Sequence, residues 1–81
     1  INTGALYRAV GLLADRQGVD TGDEEAVSAF VERVAPRLEW QPETRELWYE
    51  GENLTPQLGS EQAGKAASKV AKMASVREQL L

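Results

Sequence analysis

Glu39, Glu43, Glu46 and Glu50 crowd one stretch, LEWQPETRELWYEGENL (residues 38–54), which also holds both tryptophans and Tyr49. Paired carboxylates are the groups of acid–base hydrolysis, provided that their surroundings push one pKa away from the other. No neighbour in this stretch marks any pair for such a shift. The chain also has no histidine and no cysteine. Imidazole bases, Ser-His and Cys-His dyads, thiolate zinc sites and disulfides are thereby excluded. The expectation is a chain that is not an enzyme, with no cofactor and no metal.

The remaining chemistry is charge. Thirteen Asp and Glu face nine Lys and Arg, a formal charge of −4, and the distribution is uneven. Residues 1–60 carry a balance of −6, whereas residues 61–81 carry +2 and hold all three lysines. On one long helix Lys65, Lys69 and Lys72 would share a face, with Arg77 beyond them, and such a face can neutralise phosphates. The run DTGDEE (residues 20–25) lacks the ligand spacing of a calcium loop, so Thr21 and Glu24 read as a capping box.

The elements that must position these groups are mostly helical. Leu6, Ala9, Val10 and Leu13 recur at helical spacing after Asn2 or Thr3 as N-cap, and Gly18 with Val19 supplies a C-terminal stop, giving a helix over 4–17. Val27, Phe30, Val31 and Val34 repeat the pattern over 22–35 until Pro36 ends it. Residues 38–50 read as a β-hairpin, LEW and ELWYE around QPETR, although no Gly or Asn supplies a positive φ in the turn. The alternative is a helix over 42–50, with Pro42 in its first turn and Gly51 after its end. GENLTPQLGS (residues 51–60) reads as connector. Ser60 then caps a helix over 60–80, with a break near Ser75 signalled by Ser75 and Glu78.

The fold class is therefore mainly α: a small three-helix domain with a β-hairpin inserted between helices two and three, or, alternatively, an all-α four-helix form. At 81 residues there is room for a single small domain over 1–81, read as excised from a longer chain. No segment has the length and apolarity of a membrane span, and the cytoplasm is the expected compartment.

Function is expected from surfaces. Ala63, Ala67, Ala71 and Ser75 recur every four residues and let another backbone approach closely. Trp40, Trp48 and Tyr49, with Ala67, Val70, Ala71 and Met73, are the candidate partner-binding residues, and Trp48 would lie on the strand face opposite Leu47 and Tyr49. The resulting expectation is a non-catalytic protein–protein interaction or oligomerisation module, acidic overall, binding a protein partner or a second copy of itself. An accessory place in nucleic-acid machinery extends it. The alternative is a nucleic-acid-binding domain that contacts phosphates through Lys65, Lys69, Lys72 and Arg77.

Two resemblances bear on these expectations. PETRELWYEGENLTP with the terminal VREQLL resembles parts of the winged-helix DNA-binding domains of response regulators, over residues 41–57 and 76–81; GSEQAGKAASKVAKMA between them does not. ALYRAVGLLADRQGVDTGDEEAVSAFVERV followed by LGSEQAGKAASKV is similar to the small helical tail domains of phage single-strand annealing proteins, with residues 39–52 as an insertion. The second resemblance implies a protein-docking module attached to nucleic-acid machinery.

Overall fold

The central element is a helix buried along most of its girth. In the computed structural model, which describes residues 3–80, α1 spans Thr3–Arg16, and six consecutive residues, Ala9 to Ala14, are buried. One apolar stripe would bury every third or fourth residue, so a continuous run means neighbours on several sides. Asn2 as N-cap lies outside the described residues. The stop is as expected: Gly18 has φ 73°, Val19 N–H donates to Ala14 O (2.8 Å) and Gly18 N–H to Asp15 O (3.3 Å), both bonds of a Schellman motif.

Helix α2 (Glu24–Val34) buries Val27, Phe30, Val31 and Val34 and stops where Pro36 demands, passing into a 3₁₀ turn at Ala35–Arg37. Its cap corrects the expected box. Asp23, not Thr21, is the N-cap, and its carboxylate accepts from Glu25 N–H (3.1 Å) and Ala26 N–H (3.3 Å). Asp20 accepts from Gly22 N–H in the preceding turn, and Thr21 is left buried between the two aspartates, 7% exposed.

The hairpin forms, with β1 (Leu38–Gln41) antiparallel to β2 (Glu46–Tyr49) and Trp40 opposite Leu47. The missing positive φ comes from Arg45 at 56°, a position that turn chemistry would give to Gly or Asn. A third strand, β3 (Glu52–Asn53), was not expected. Glu50 (φ 47°) and Gly51 (φ 82°) make a two-residue turn of the I′ kind, which returns the chain against β2. The sheet order is β1-β2-β3.

The segment read as connector is structured as well. Leu54 is fully buried, its N–H donates to Leu47 O (2.8 Å), and the Thr55 hydroxyl accepts from Leu47 N–H (2.8 Å). A single helical turn, α3 (Thr55–Leu58), follows, with Pro56 near its start. Ser60 caps as expected, its hydroxyl accepting from Ala63 N–H (3.1 Å). The long last helix is two helices, α4 (Glu61–Val70) and α5 (Ala74–Leu80), separated at residues 71–73. The break lets Val70, Met73 and Val76 all turn inward, where they join Val10, Val27 and Val31 in one core cluster. A second cluster joins Leu12, Leu13, Phe30, Val34, Leu47, Leu54 and Leu58, with Trp40 and Tyr49 packed on it.

Helix α4 packs on α1 at Ala66, whereas Ala67, Ala71 and Ser75 of the expected small-residue seam are half-buried. A Cβ added at Gly11 would stand 2.7 Å from Ala66 Cβ and 2.9 Å from the Ala66 carbonyl carbon, closer than packed carbons approach. Glycine is required there by the crossing itself, although it weakens the helix by about 1 kcal/mol relative to alanine.

Candidate functional site

In ALYRAVGLLA (residues 5–14), Arg8 is the one charged residue. Helix α1 carries it to the junction of α3 and α4, where its Nη1 donates to Leu58 O at 2.6 Å. Its guanidinium lies across Gly64, with Nη2 3.4 Å from where a Cβ would stand. Among the described residues it is the only Lys or Arg that is not exposed, and no ion pair involves it. A guanidinium has five N–H donors in a fixed fork, so most of its donor capacity is uncommitted. A half-buried cation with open donors is suited to an incoming phosphate or carboxylate.

On the other flank of α4, Asp15, Thr21, Glu61, Gln62, Lys65 and Lys69 line a cleft of about 480 Å³. Gln62 Nε2 donates to Asp15 across it (2.9 Å), and Lys65 stands 3.5 Å from Glu61 in an exposed pair. Lys72 falls in the link between α4 and α5, and Arg77 lies on α5, so the four basic residues do not form one continuous face.

The sheet's polar groups are committed by contrast. Glu46 accepts from the Thr44 hydroxyl (2.9 Å), Trp48 Nε1 (3.3 Å) and Asn53 Nδ2 (3.0 Å), and these bonds, the Thr44 one foremost, hold its carboxyl below the usual range. Glu52 is lowered likewise, first by Arg16 and then by Gln57; Arg16 binds it through two nitrogens (2.9 and 3.0 Å) and also donates to Gln57. Arg37 pairs with Glu50 at 2.7 Å.

The expected partner residues are dispersed by this architecture. Trp40 and Tyr49 pack on the core side of the sheet, and Trp48 is half-buried on the other face, beside Glu46. Val70 and Met73 correct the expectation of a surface role: they are 0% and 9% exposed, packed with Val10, Val27, Val31 and Val76 in one core cluster. Ala67 and Ala71 are half-buried. Neither Arg8 nor Thr21 is marked by the sequence as a site residue. The available sign for Arg8 was a lone charge in an apolar run. Thr21 had none, because its hydroxyl was assigned to capping.

The full length of the chain, residues 1–81, matches the family described as cytidylate kinase. The chain belongs to the cytidylate kinase family. It is 42% identical over 77 residues to the cytidylate kinase of Thermus thermophilus, covering 95% of this chain and 37% of that protein. The cytidylate kinase of Aliivibrio salmonicida is 36% identical over 81 residues, and that of Bacillus licheniformis 37% over 81 residues. These cover 100% and 99% of this chain and 36% of each relative. The chain thus spans little more than a third of the length of the curated relatives that it matches.

Membership of the cytidylate kinase family overturns the expectation of a non-catalytic interaction or oligomerisation module, its nucleic-acid-binding alternative and the exclusion of an enzyme. The physical fault was in the exclusion. Phosphoryl transfer depends on positioning and on stabilising negative charge, which guanidinium and ammonium groups provide without any imidazole or thiolate. Both resemblances give way to a family match over the whole chain. Among the described residues, no helix is long and apolar enough to cross a membrane.

Proposed function

We propose that the protein carrying this chain is a nucleotide kinase that transfers a phosphoryl group from a nucleoside triphosphate to cytidylate, and that this chain helps to hold the acceptor. The whole-chain family match carries the reading. The acceptor is a phosphate monoester, nearly a dianion at neutral pH, and an enzyme must neutralise that charge to hold it. Arg8 combines a permanent charge, a fork of donors and a backbone tether at Leu58 that fixes its position, which together suit it to that role. Preorganisation of this kind places the acceptor oxygen for in-line attack while the guanidinium draws off charge. The cytoplasm is the compartment that this reading assigns to the protein.

The test is an assay of the full-length protein with a nucleoside triphosphate donor and each of the common nucleoside monophosphates in turn. The expected result is turnover with cytidylate at a kcat/KM well above that for purine monophosphates. Absence of transfer to any monophosphate would overturn the reading. Retaining the Arg8 charge as Arg8→Lys is expected to raise KM for cytidylate more than it lowers kcat, because lysine keeps the attraction and loses the fork.

A further inference from the structure

Thr21 is the one buried polar residue among those described, and its hydroxyl makes no hydrogen bond to any of them. A hydroxyl with no partner in the chain is served by water or by a ligand that displaces it. No fully enclosed side-chain oxygen or nitrogen among the described residues lacks a partner, so the Thr21 oxygen reaches solvent, and the opening that Thr21 lines is the 480 Å³ cleft beside α4. Above it stand Lys65 and Lys69, one turn apart on α4. Lys69 has no carboxylate partner among the described residues, and Lys65 has only its exposed, weak pair with Glu61.

We infer that this cleft is a binding site for a small phosphate monoester that carries free hydroxyl groups, from a sugar phosphate or a nucleotide. The two ammonium groups and the Thr21 hydroxyl donate to the phosphate oxygens. The carboxylates of Asp15 and Glu61 repel a bare anion but accept from hydroxyls, and Asp15 has spent one oxygen on Gln62 and keeps the other. The volume is that of ordinary small-ligand sites. The site is independent of Arg8, which lies on the opposite flank of α4 at Gly64.

The experiment follows backbone amide shifts in the full-length protein by NMR as ribose 5-phosphate, cytidylate's purine counterpart adenylate, inorganic phosphate and ribose are each titrated. Saturable shifts at Thr21, Lys65 and Lys69 are expected with ribose 5-phosphate or adenylate, and the one that shifts them at lower concentration names the source. Inorganic phosphate and ribose are expected to bind at least about tenfold more weakly, since each lacks half of the contacts. Lys69→Gln, an exposed change that leaves the fold alone, and Thr21→Val, which keeps the shape and removes the hydroxyl, are each expected to weaken binding about fivefold or more. Shifts confined to other residues, unchanged affinity in both variants, or inorganic phosphate binding as well as the sugar phosphate would overturn the proposal.

Discussion

The α1–α4 crossing and the three-stranded sheet lie side by side and treat their polar groups in opposite ways. Around the sheet three carboxylates are answered from within, Glu46 by three donors, Glu52 by Arg16 and Gln57, Glu50 by Arg37, while Glu39 and Glu43 stand exposed. At and beside the crossing, two groups keep capacity in reserve: half-buried Arg8 with most of its fork open, and Thr21, a buried residue whose hydroxyl opens on the cleft. Groups of this kind, open to solvent yet held by their surroundings, can exchange water for a ligand at little cost in ordering. Three of the sheet's carboxylates are tied up internally, whereas the crossing is where the proposed acceptor site lies.

This contrast can be strained from the side of packing first. Gly11→Ala places a methyl group against the backbone of Ala66, where no flexible side chain can yield, and is expected to destabilise the protein by about 1–3 kcal/mol in denaturant unfolding. The same substitution at an open helical position would stabilise. Asp23→Ala, which removes the α2 cap next to the Thr21 turn, is expected to cost about 0.5–2 kcal/mol.

The sheet should prove more forgiving. Arg45→Asn, at φ 56°, is expected to raise stability by up to about 1 kcal/mol, because asparagine tolerates the left-handed region and nothing bonds the Arg45 side chain among the described residues. The smallest effect is on pH. Glu46 and Glu52 have folded-state pKa values below those of the unfolded chain, so the stability that they contribute is present above the ordinary glutamate pKa, about 4.3, and is lost as pH falls through their folded values. Replacing both by glutamine is expected to flatten the acid limb of a melting-temperature profile by lowering the neutral region slightly, with the most acidic region nearly unchanged.

Local signals with a steric cause were legible in the sequence. Gly18 and Val19 closed α1, Pro36 ended α2, Ser60 opened α4, and the alternation of Leu47, Trp48 and Tyr49 sorted the faces of β2. What escaped depended on residues in conformations that their type does not advertise. Arg45 and Glu50 hold positive φ, so the hairpin turn lacked its usual residues and β3 was missed altogether. Leu54 was hidden among turn formers yet sits fully buried. The site was less legible than the fold, because an open hydrogen-bonding capacity is a property of the surroundings. Arg8 looks like any helical arginine until its neighbours are known. Lys65, Lys69 and Lys72 drew notice by spacing alone, and the break before α5 removed Lys72 from their face.

The most direct test compares Arg8→Met with Glu46→Gln in the full-length protein, measuring kcat/KM for phosphoryl transfer to cytidylate alongside thermal melting. The expected result is a loss of about 100-fold for Arg8→Met, with a melting temperature close to that of the parent, and unchanged turnover for Glu46→Gln. Full activity in Arg8→Met, or an equal loss in Glu46→Gln, would contradict the assignment of function to the crossing rather than to the sheet.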